Sequence, residues 1–252
     1  MSAYDSLARY YDELTTDVDY NAFADYYEAI FRRLKINVKT VLDLACGTGS
    51  LSCVLAERGY ELISVDGSED MLSEAAEKFA RLEGVVPPLT LNQRMEELDL
   101  YGTVDAEICM LDGMNYLDPD ELRETVRRLW LFQEPGGVLI FDVNTPFKLR
   151  SLDGQVFIDE REDVYCVWRS EFDEDENVCC YGMDIFSALD NGLWERSLEE
   201  HFEYAYSQAE LEDILRNAGF TDIEVFGELT FDRPHEDEGR IFIIARKPKE
   251  VK

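Results

Sequence analysis

The spacing of apolar side chains predicts alternating strands and helices over the first 145 residues. An amphipathic helical stripe is formed by Phe23, Tyr26, Tyr27, Ile30, Phe31 and Leu34. Short apolar runs predict strands at residues 40–45, 61–65, 89–92, 106–111 and 138–142. Helices are expected between them, with Ser68 and Asp118 as N-caps and Gly59 as a C-terminal stop. This alternation is typical of an α/β fold with a doubly wound, mostly parallel sheet.

A two-residue period replaces this pattern between residues 146 and 206. Apolar side chains recur at alternate positions in segments 156–158, 164–168, 181–185 and 202–206, which predicts antiparallel strands. The acidic segment 173–177 and the turn Asp190-Asn191-Gly192 are interpreted as exposed connections. A capping box at Ser207 then begins a helix, and two strands at 221–226 and 240–245 close the chain. We predict a core of residues 1–145 and 207–252, with residues 146–206 inserted as a β-rich lid.

Charge narrows the set of partners. The 252 residues include 55 Asp and Glu against 24 Lys and Arg, a net charge of −31, while 46% of residues are hydrophobic, which is enough for a large core. Without a basic patch, binding to nucleic acid or to an anionic membrane surface is disfavoured. The longest apolar runs span about five residues, far fewer than the ~20 that cross a bilayer. With no signal peptide visible, we expect a cytoplasmic monomer or homodimer.

Metal binding is not expected from the cysteines. There are six of them and only two histidines, and no CxxC pair occurs, so the usual zinc-ligand spacings cannot be assembled. In a reducing compartment such cysteines act as small buried hydrophobes. We predict no metal site.

The segment Val-Leu-Asp-Leu-Ala-Cys-Gly-Thr-Gly-Ser at residues 41–50 runs from a strand through small residues into a helix. Small residues let the backbone approach a ligand closely. The glycines do not have the GxGxxG spacing that seats a pyrophosphate, which argues against a nicotinamide dehydrogenase. Asp66 ends the second strand, where a carboxylate can accept hydrogen bonds from both ribose hydroxyls. A nucleoside without a pyrophosphate is therefore predicted.

These two segments, Asp43-Leu-Ala-Cys-Gly-Thr-Gly49 and Val65-Asp-Gly-Ser-Glu-Asp-Met71, closely resemble the class I S-adenosylmethionine-dependent methyltransferases. The resemblance covers nearly the whole chain and is closest to small bacterial methyltransferases of small molecules, whose openings look like residues 4–12 and whose fourth strand precedes a segment like 111–117. It implies a Rossmann-like, seven-stranded sheet that ends in an antiparallel hairpin. It also implies S-adenosylmethionine as cofactor and S-adenosylhomocysteine as product.

Carried over position by position, the resemblance implies a set of cofactor-binding residues: Asp43, Ala45, Cys46, Gly47, Gly49, Asp66, Gly67, Met71, Arg94, Met95, Leu111 and Asp112. The family usually has an Asp-Met pair where this chain has Arg94-Met95. An arginine only donates hydrogen bonds, so it cannot accept from the adenine amino group as the aspartate does. Stacking of Arg94 on adenine and a contact from Gln93 are the alternatives.

The predicted catalytic residues are Tyr11, Tyr20, Asn115, Tyr116 and His201, of which Asn115 and Tyr116 are implied by the resemblance. Methyl transfer is an in-line displacement in which positioning does most of the work, and aromatic faces orient the sulfonium cation. Tyr10 is a further aromatic candidate. His201, on a predicted lid strand, is a candidate base because histidine titrates near neutral pH; Asp112 and Asp142 are alternatives. A neutral amine acceptor would need no strong base.

The sequence thus predicts metal-independent methyl transfer to nitrogen or oxygen of a small molecule. Two alternatives stay open. One is a methyltransferase of a protein or an RNA, for which affinity for nucleic acid would fall steeply with salt. The other is a non-catalytic S-adenosylmethionine-binding protein.

Overall fold

A computed structural model describes residues 7–189 and 191–249. Its strands, in chain order, are β1 (Thr40–Leu44), β2 (Glu61–Asp66), β3 (Leu89–Asn92), β4 (Val104–Cys109), β5 (Gln133–Asn144), β6 (Val156–Glu160), β7 (Val164–Asp173), β8 (Val178–Ala188), β9 (Trp194–Tyr204), β10 (Thr221–Gly227) and β11 (Arg240–Arg246). Its α-helices are α1 (Tyr11–Leu14), α2 (Tyr20–Leu34), α3 (Ser50–Glu57), α4 (Glu69–Phe79), α5 (Pro119–Phe132), α6 (Pro146–Ser151) and α7 (Gln208–Ala218). Single 3₁₀ turns occupy Ala8–Tyr10, Met95–Glu97 and Gly113–Tyr116.

Seven strands form the central sheet, in the order β3-β2-β1-β4-β5-β11-β10. Strands β1 to β5 pair in parallel, and β11 runs antiparallel to both of its neighbours. The predicted α/β fold with a closing antiparallel hairpin is confirmed. The strand order reverses between β1 and β4, and in open α/β sheets ligands bind at the carboxyl ends of the strands beside such a reversal.

Helices cover both faces of this sheet. On one face α5 and α7 contribute Leu122, Leu129 and Leu211 to a core shared with β1, β4 and β5. On the other face α2 and α3 pack side chains such as Tyr27 and Leu51. The amphipathic stripe predicted in residues 23–34 is therefore a core-facing stripe. The helices also begin where expected, because Ser68, Asp118 and Ser207 each accept a hydrogen bond from a backbone N–H of the first turn.

The structure differs from the predicted boundaries in three places. Strand β5 begins at Gln133, so Pro135-Gly136-Gly137 lies inside the strand and not before it. Gly137 is required there, because a Cβ would lie 2.7 Å from the carbonyl oxygen of Asp105. Strand β4 spans Val104–Cys109 where residues 106–111 were predicted, and residues 146–151 form α6 rather than the start of the β-rich region.

A second sheet is formed by the inserted segment, with four antiparallel strands in the order β6-β7-β8-β9. Its inner face packs Val164, Cys166, Met183 and Ile185 against Leu7, Tyr10 and Leu14 of the N-terminal segment. The acidic connection at 173–177 is an exposed turn, as predicted. Asp190 of the predicted β8–β9 turn lies outside the described residues, as do residues 4–6 of the opening motif.

Strand β9 buries polar side chains and exposes apolar ones. Glu199, His201 and Glu203 are buried on its inner face. Of the apolar residues that predicted the strand, Phe202 lies on the outer face and is 47% exposed, as is its neighbour Leu198 at 61%. Tyr206 lies beyond the end of the strand and is buried in the core. Each buried glutamate has a partner: Glu199 accepts from the Leu7 N–H (2.9 Å) and Glu203 from the Asn144 amide (2.7 Å). These contacts offset the loss of hydration that buried polar groups suffer.

Asn115 holds together the two ends of the insertion. Its side-chain amide donates to the carbonyl oxygens of Asn144 (3.1 Å) and Tyr204 (2.9 Å), and its oxygen accepts from the Asn144 N–H (3.0 Å). Asn144 ends β5, where the chain leaves the core, and Tyr204 ends β9, where it returns. One fully buried side chain therefore joins the points where the insertion leaves and rejoins the core, which form the neck of the lid.

In residues 7–189 and 191–249, none of the helices has the length and apolar character needed to cross a membrane.

Candidate active site

A cavity of about 510 Å³ lies at the carboxyl ends of β1, β2 and β4, within the size range of small-ligand sites. Twelve of its lining residues were predicted from the sequence: Tyr11, Tyr20, Ala45, Cys46, Gly47, Asp66, Gly67, Met71, Arg94, Met95, Leu111 and Tyr116. Nine were not: Thr48, Ser50, Leu51, Ser68, Glu96, Met110, Gly113, Leu117 and Glu121. Most of these nine are immediate neighbours of predicted residues, so the neighbourhood of each motif was the available signal.

The loop between β1 and α3 forms the floor of the cavity. Ala45, Gly47 and Gly49 all have left-handed backbone angles, with φ of 55°, 54° and 73°. A Cβ on Gly47 would meet no protein atom within 4 Å and would point into open space at the cavity wall. Gly49 has a different role, since a Cβ there would lie 2.6 Å from the ring of Phe79. Gly47 therefore leaves room for a ligand, and Gly49 lets α4 pack against the loop.

Asp66 lies at the end of β2 with both carboxylate oxygens fixed by the backbone. Its Oδ2 accepts from the Gly47 N–H (2.8 Å) and its Oδ1 from the Ser68 N–H (2.9 Å). Burial raises the pKa of Asp66, although these two N–H groups oppose the increase. Each oxygen keeps a lone pair, so the oriented carboxylate can still accept from two hydroxyls of a ligand.

Asp43 lies beneath the loop and not in the cavity wall. It is buried, and its Oδ2 accepts from the Ser52 hydroxyl at 2.5 Å. Burial raises the pKa of Asp43 to about 7, although Ser52 opposes the increase. In this position the carboxyl supports the loop through α3 rather than contacting a ligand.

The raised pKa of Asp43 predicts a pH-dependent stability. Between about pH 4 and pH 7 the unfolded chain releases this proton while the folded protein retains it, so Asp43 lowers stability as pH rises, by up to about 1.4 kcal/mol per unit. Asp43→Asn removes this titration. Urea unfolding at pH 5 and pH 8 should show the variant gaining stability relative to wild type at the higher pH. Parallel pH profiles would contradict the assignment.

The turn after β4 has a strained backbone, which side chains from β5 and β11 hold in place. Leu111 and Asp112 have consecutive left-handed backbone angles, with φ of 53° and 57°. Asp142 on β5 accepts from both of their N–H groups, at 2.9 Å and 3.0 Å. Arg240 on β11 forms ion pairs with the Asp142 and Asp112 carboxylates. Leu111 consequently lines the cavity, whereas the predicted ligand contact Asp112 turns away from it toward Arg240.

The N-terminal segment covers one side of the cavity. Asp12 accepts from the Thr48 hydroxyl (2.7 Å) and forms an ion pair with Lys78 on α4, which ties the segment to the glycine loop. Tyr11 and Tyr20 therefore face the cavity. Burial, together with nearby acidic side chains, raises the pKa of both phenols above its ordinary value, which keeps them protonated near neutral pH. Tyr10 instead packs against the lid.

Tyr116 is the third tyrosine of the wall, and His201 lies behind it. The rings of Tyr116 and His201 meet edge to face with centroids 6.1 Å apart, and His201 Nε2 lies 3.2 Å from Glu199 Oε2. His201 is buried and does not line the cavity. Asn115 also lies outside the wall, because it closes the neck of the lid, and Gly49 faces Phe79. The predicted residues outside the wall are therefore Asp43, Gly49, Asp112, Asn115 and His201.

Comparison with known proteins agrees with this geometry. A family model described as "Methyltransferase domain" matches residues 41–137. The methyltransferase-family protein YqeM of Bacillus subtilis (strain 168) is 32% identical over 251 residues, covering 98% of each chain. A glycine/sarcosine N-methyltransferase of Parasynechococcus marenigrum (strain WH8102) is 26% identical over 226 residues, covering 87% of this chain and 77% of that one. The crystal structure of an S-adenosylmethionine-dependent methyltransferase from Clostridium acetobutylicum ATCC 824 superposes with a TM-score of 0.86 at 28% identity, covering 97% and 99%.

The chain belongs to the class I S-adenosylmethionine-dependent methyltransferases. The cavity fits that cofactor in two respects. Gly47 leaves open the space that a side chain would take, and the Asp66 carboxylate is oriented to receive a ribose diol. Met71, Met95 and Leu117 add apolar side chains to the cavity wall.

Asp66→Ala is expected to weaken binding of S-adenosylhomocysteine at least tenfold, or about 1.4 kcal/mol. The variant loses the carboxylate for the ribose and the acceptor that orients the Gly47 N–H. Calorimetric titration measures the affinity, and Asp70→Ala, an exposed carboxylate on α4 outside the cavity, is the matched control. Equal affinity of Asp66→Ala and wild type would rule out the ribose assignment.

Proposed function

We propose that the protein transfers a methyl group to the nitrogen of a small-molecule amine. The observation that carries the proposal is the aromatic wall of Tyr11, Tyr20 and Tyr116. Aromatic faces stabilise cations, and an amine is cationic while it carries its extra proton, both before and after transfer. The similarity to a glycine/sarcosine N-methyltransferase supports an amine acceptor.

When bound, S-adenosylmethionine supplies an electrophilic methyl on a sulfonium, which a nitrogen lone pair displaces in line. The three tyrosines orient the cation and exclude water from the methyl group, and this positioning accounts for much of the rate. Their phenols have raised pKa values, so they act as neutral hydrogen-bonding groups and not as bases. No metal enters this scheme.

We assign His201 a supporting role behind the wall. The ring of His201 packs edge to face against Tyr116, and Glu199 holds His201 by a hydrogen bond. We therefore assign His201 as a positioning residue for Tyr116. Burial, with nearby Asp112, raises the pKa of Glu203 to about 8. A carboxyl with that pKa is mostly protonated near neutral pH, and Glu203 does not line the cavity, so we propose that the amine releases its proton to water.

The test is methyl transfer from radiolabelled S-adenosylmethionine to matched acceptor pairs: amino acids, amino sugars and simple amines, each beside its hydroxyl analogue. Label in amine products alone is the expected result. Tyr116→Phe should lower kcat, because the phenol is lost from the wall, while S-adenosylhomocysteine binding is retained. Tyr101→Phe, which changes a fully exposed ring, should leave both unchanged.

The alternatives give different results in the same assay. Label in the hydroxyl analogues would show that the methyl group is transferred to oxygen. Label only in added protein or RNA would favour a macromolecular acceptor. Tight cofactor binding without transfer to any acceptor of the panel would favour the non-catalytic alternative.

A further inference from the structure

At one end of the cavity Arg94 takes the place of the aspartate that, in the family, accepts a hydrogen bond from the adenine amino group. The aliphatic part of Arg94 lies over Gly67, with Cγ 3.8 Å from the position of a Gly67 Cβ. Its guanidinium forms ion pairs with Glu96 (Nε to Oε1, 2.5 Å) and Glu121 (Nη2 to Oε1, 2.7 Å). All three side chains line the cavity. An adenine bound at this end would place its amino group beside two carboxylates around one arginine.

The two alternatives considered from the sequence fit less well. Gln93 is engaged with its own loop, donating to the Asp99 carbonyl (3.2 Å) and accepting from the Asp99 N–H (2.9 Å), and it does not line the cavity. Arg94 is 61% exposed and tied by its two ion pairs, which places its head at the rim. A guanidinium held there cannot accept a hydrogen bond from an amino group.

We infer that Glu96 accepts the hydrogen bond from the adenine amino group, with Arg94 as the residue that orients it. The side chain of Glu96 is only 16% exposed, so it is turned into the cavity. Within the described residues its Oε2 has no hydrogen-bond partner, whereas Glu121 uses Oε1 for Arg94 and Oε2 for the Asp118 N–H (3.1 Å) in the α5 capping box. Glu121 is thus the anchor of Arg94, and Glu96 keeps an oxygen for the ligand.

This assignment predicts selectivity for adenine over hypoxanthine. A carboxylate accepts from the amino group of adenine, but it opposes the carbonyl oxygen that replaces that group in hypoxanthine. Wild type should bind S-adenosylhomocysteine at least about tenfold more tightly than S-inosylhomocysteine, because one buried hydrogen bond is exchanged for two facing acceptors. In Glu96→Gln the amide can also donate, so the preference should narrow to within about threefold.

Titration calorimetry with the two nucleosides on the full chain tests the inference. Glu97→Gln, an exposed neighbour outside the cavity, should keep the wild-type ratio. A full preference retained in Glu96→Gln, or one lost in Glu97→Gln, would overturn the assignment. A mere packing role of the cluster would shift both affinities together and leave their ratio unchanged, which also overturns it.

The inference rests on the cofactor and not on the acceptor proposed above. Binding is measured without any acceptor, so failure of amine methylation leaves the ratio interpretable. Absence of S-adenosylhomocysteine binding by wild type would overturn the Glu96 assignment whatever the acceptor assay shows.

Discussion

Arg240→Met should lower the free energy of unfolding by about 3–5 kcal/mol, the usual cost of removing one partner from a buried ion pair. Asp142 is fully buried and Arg240 is 11% exposed. Burial alone would lower the pKa of Arg240, but Asp112 and Asp142 outweigh that effect and raise it. Without the arginine, two carboxylates would remain together without a cation in ion-pair contact.

Two controls distinguish the effect of losing the Arg240 charge from the effect of losing its packing contacts. Asp142→Asn in the Arg240→Met background removes one of the two stranded carboxylates and should recover part of the loss. Acid should do the same to the single variant, because the pKa of Asp142 is raised by burial and its proton is bound more tightly in the folded state. The deficit relative to wild type in urea unfolding should therefore shrink as pH falls. A deficit independent of pH would show that the loss is one of packing.

Substitutions at the two loop glycines should separate ligand binding from folding. Gly47→Val adds a branched side chain at a φ of 54°, into space that no protein atom occupies. We expect the fold to be retained at a strain cost of about 1–3 kcal/mol and affinity for S-adenosylhomocysteine to fall more than about a hundredfold. The measurements are calorimetric titration and thermal unfolding in the absence of ligand.

Gly49→Val is the matched comparison in the same loop. Its Cβ would lie 2.6 Å from the Phe79 ring at a φ of 73°, so the protein must move α4 to accept it. Stability should fall by several kcal/mol through overpacking and backbone strain together. Addition of Phe79→Ala should relieve the clash, although it creates a cost of its own. Similar effects at both glycines, on binding or on stability, would contradict the division of roles.

The core of the fold was predictable because its signals are local. A capping box at Asp118, the small residues between β1 and α3, and the amphipathic stripe of α2 each depend on residues within a few positions of one another. The same locality explains why most of the cavity wall could be named. Asp66 and Met71 follow β2 directly, so the topology of a doubly wound sheet brings them beside the glycine loop.

The remaining features depend on contacts between distant segments. In β9 the apolar alternation predicted the strand, but nothing local predicted that Glu199 and Glu203 are buried, because they find their partners in Leu7 and Asn144, more than fifty residues away. Arg240 was not singled out, since nothing in its neighbourhood indicates that it meets Asp112 and Asp142. For the same reason His201 was predicted at the transfer site, although the fold places it behind Tyr116.

At the neck, Asn115 joins the two ends of the inserted segment to each other and to the core. The insertion leaves the core at Asn144 and returns at Tyr204, and one side-chain amide spans the two points. A loop whose ends are already held together can change in length or sequence with little effect on the domain that carries it. Because the inserted sheet packs on the N-terminal segment, we expect these two parts to diverge together. We propose that their joint exchange between relatives, cut at this neck, changes the acceptor while the glycine loop and Asp66 stay in place.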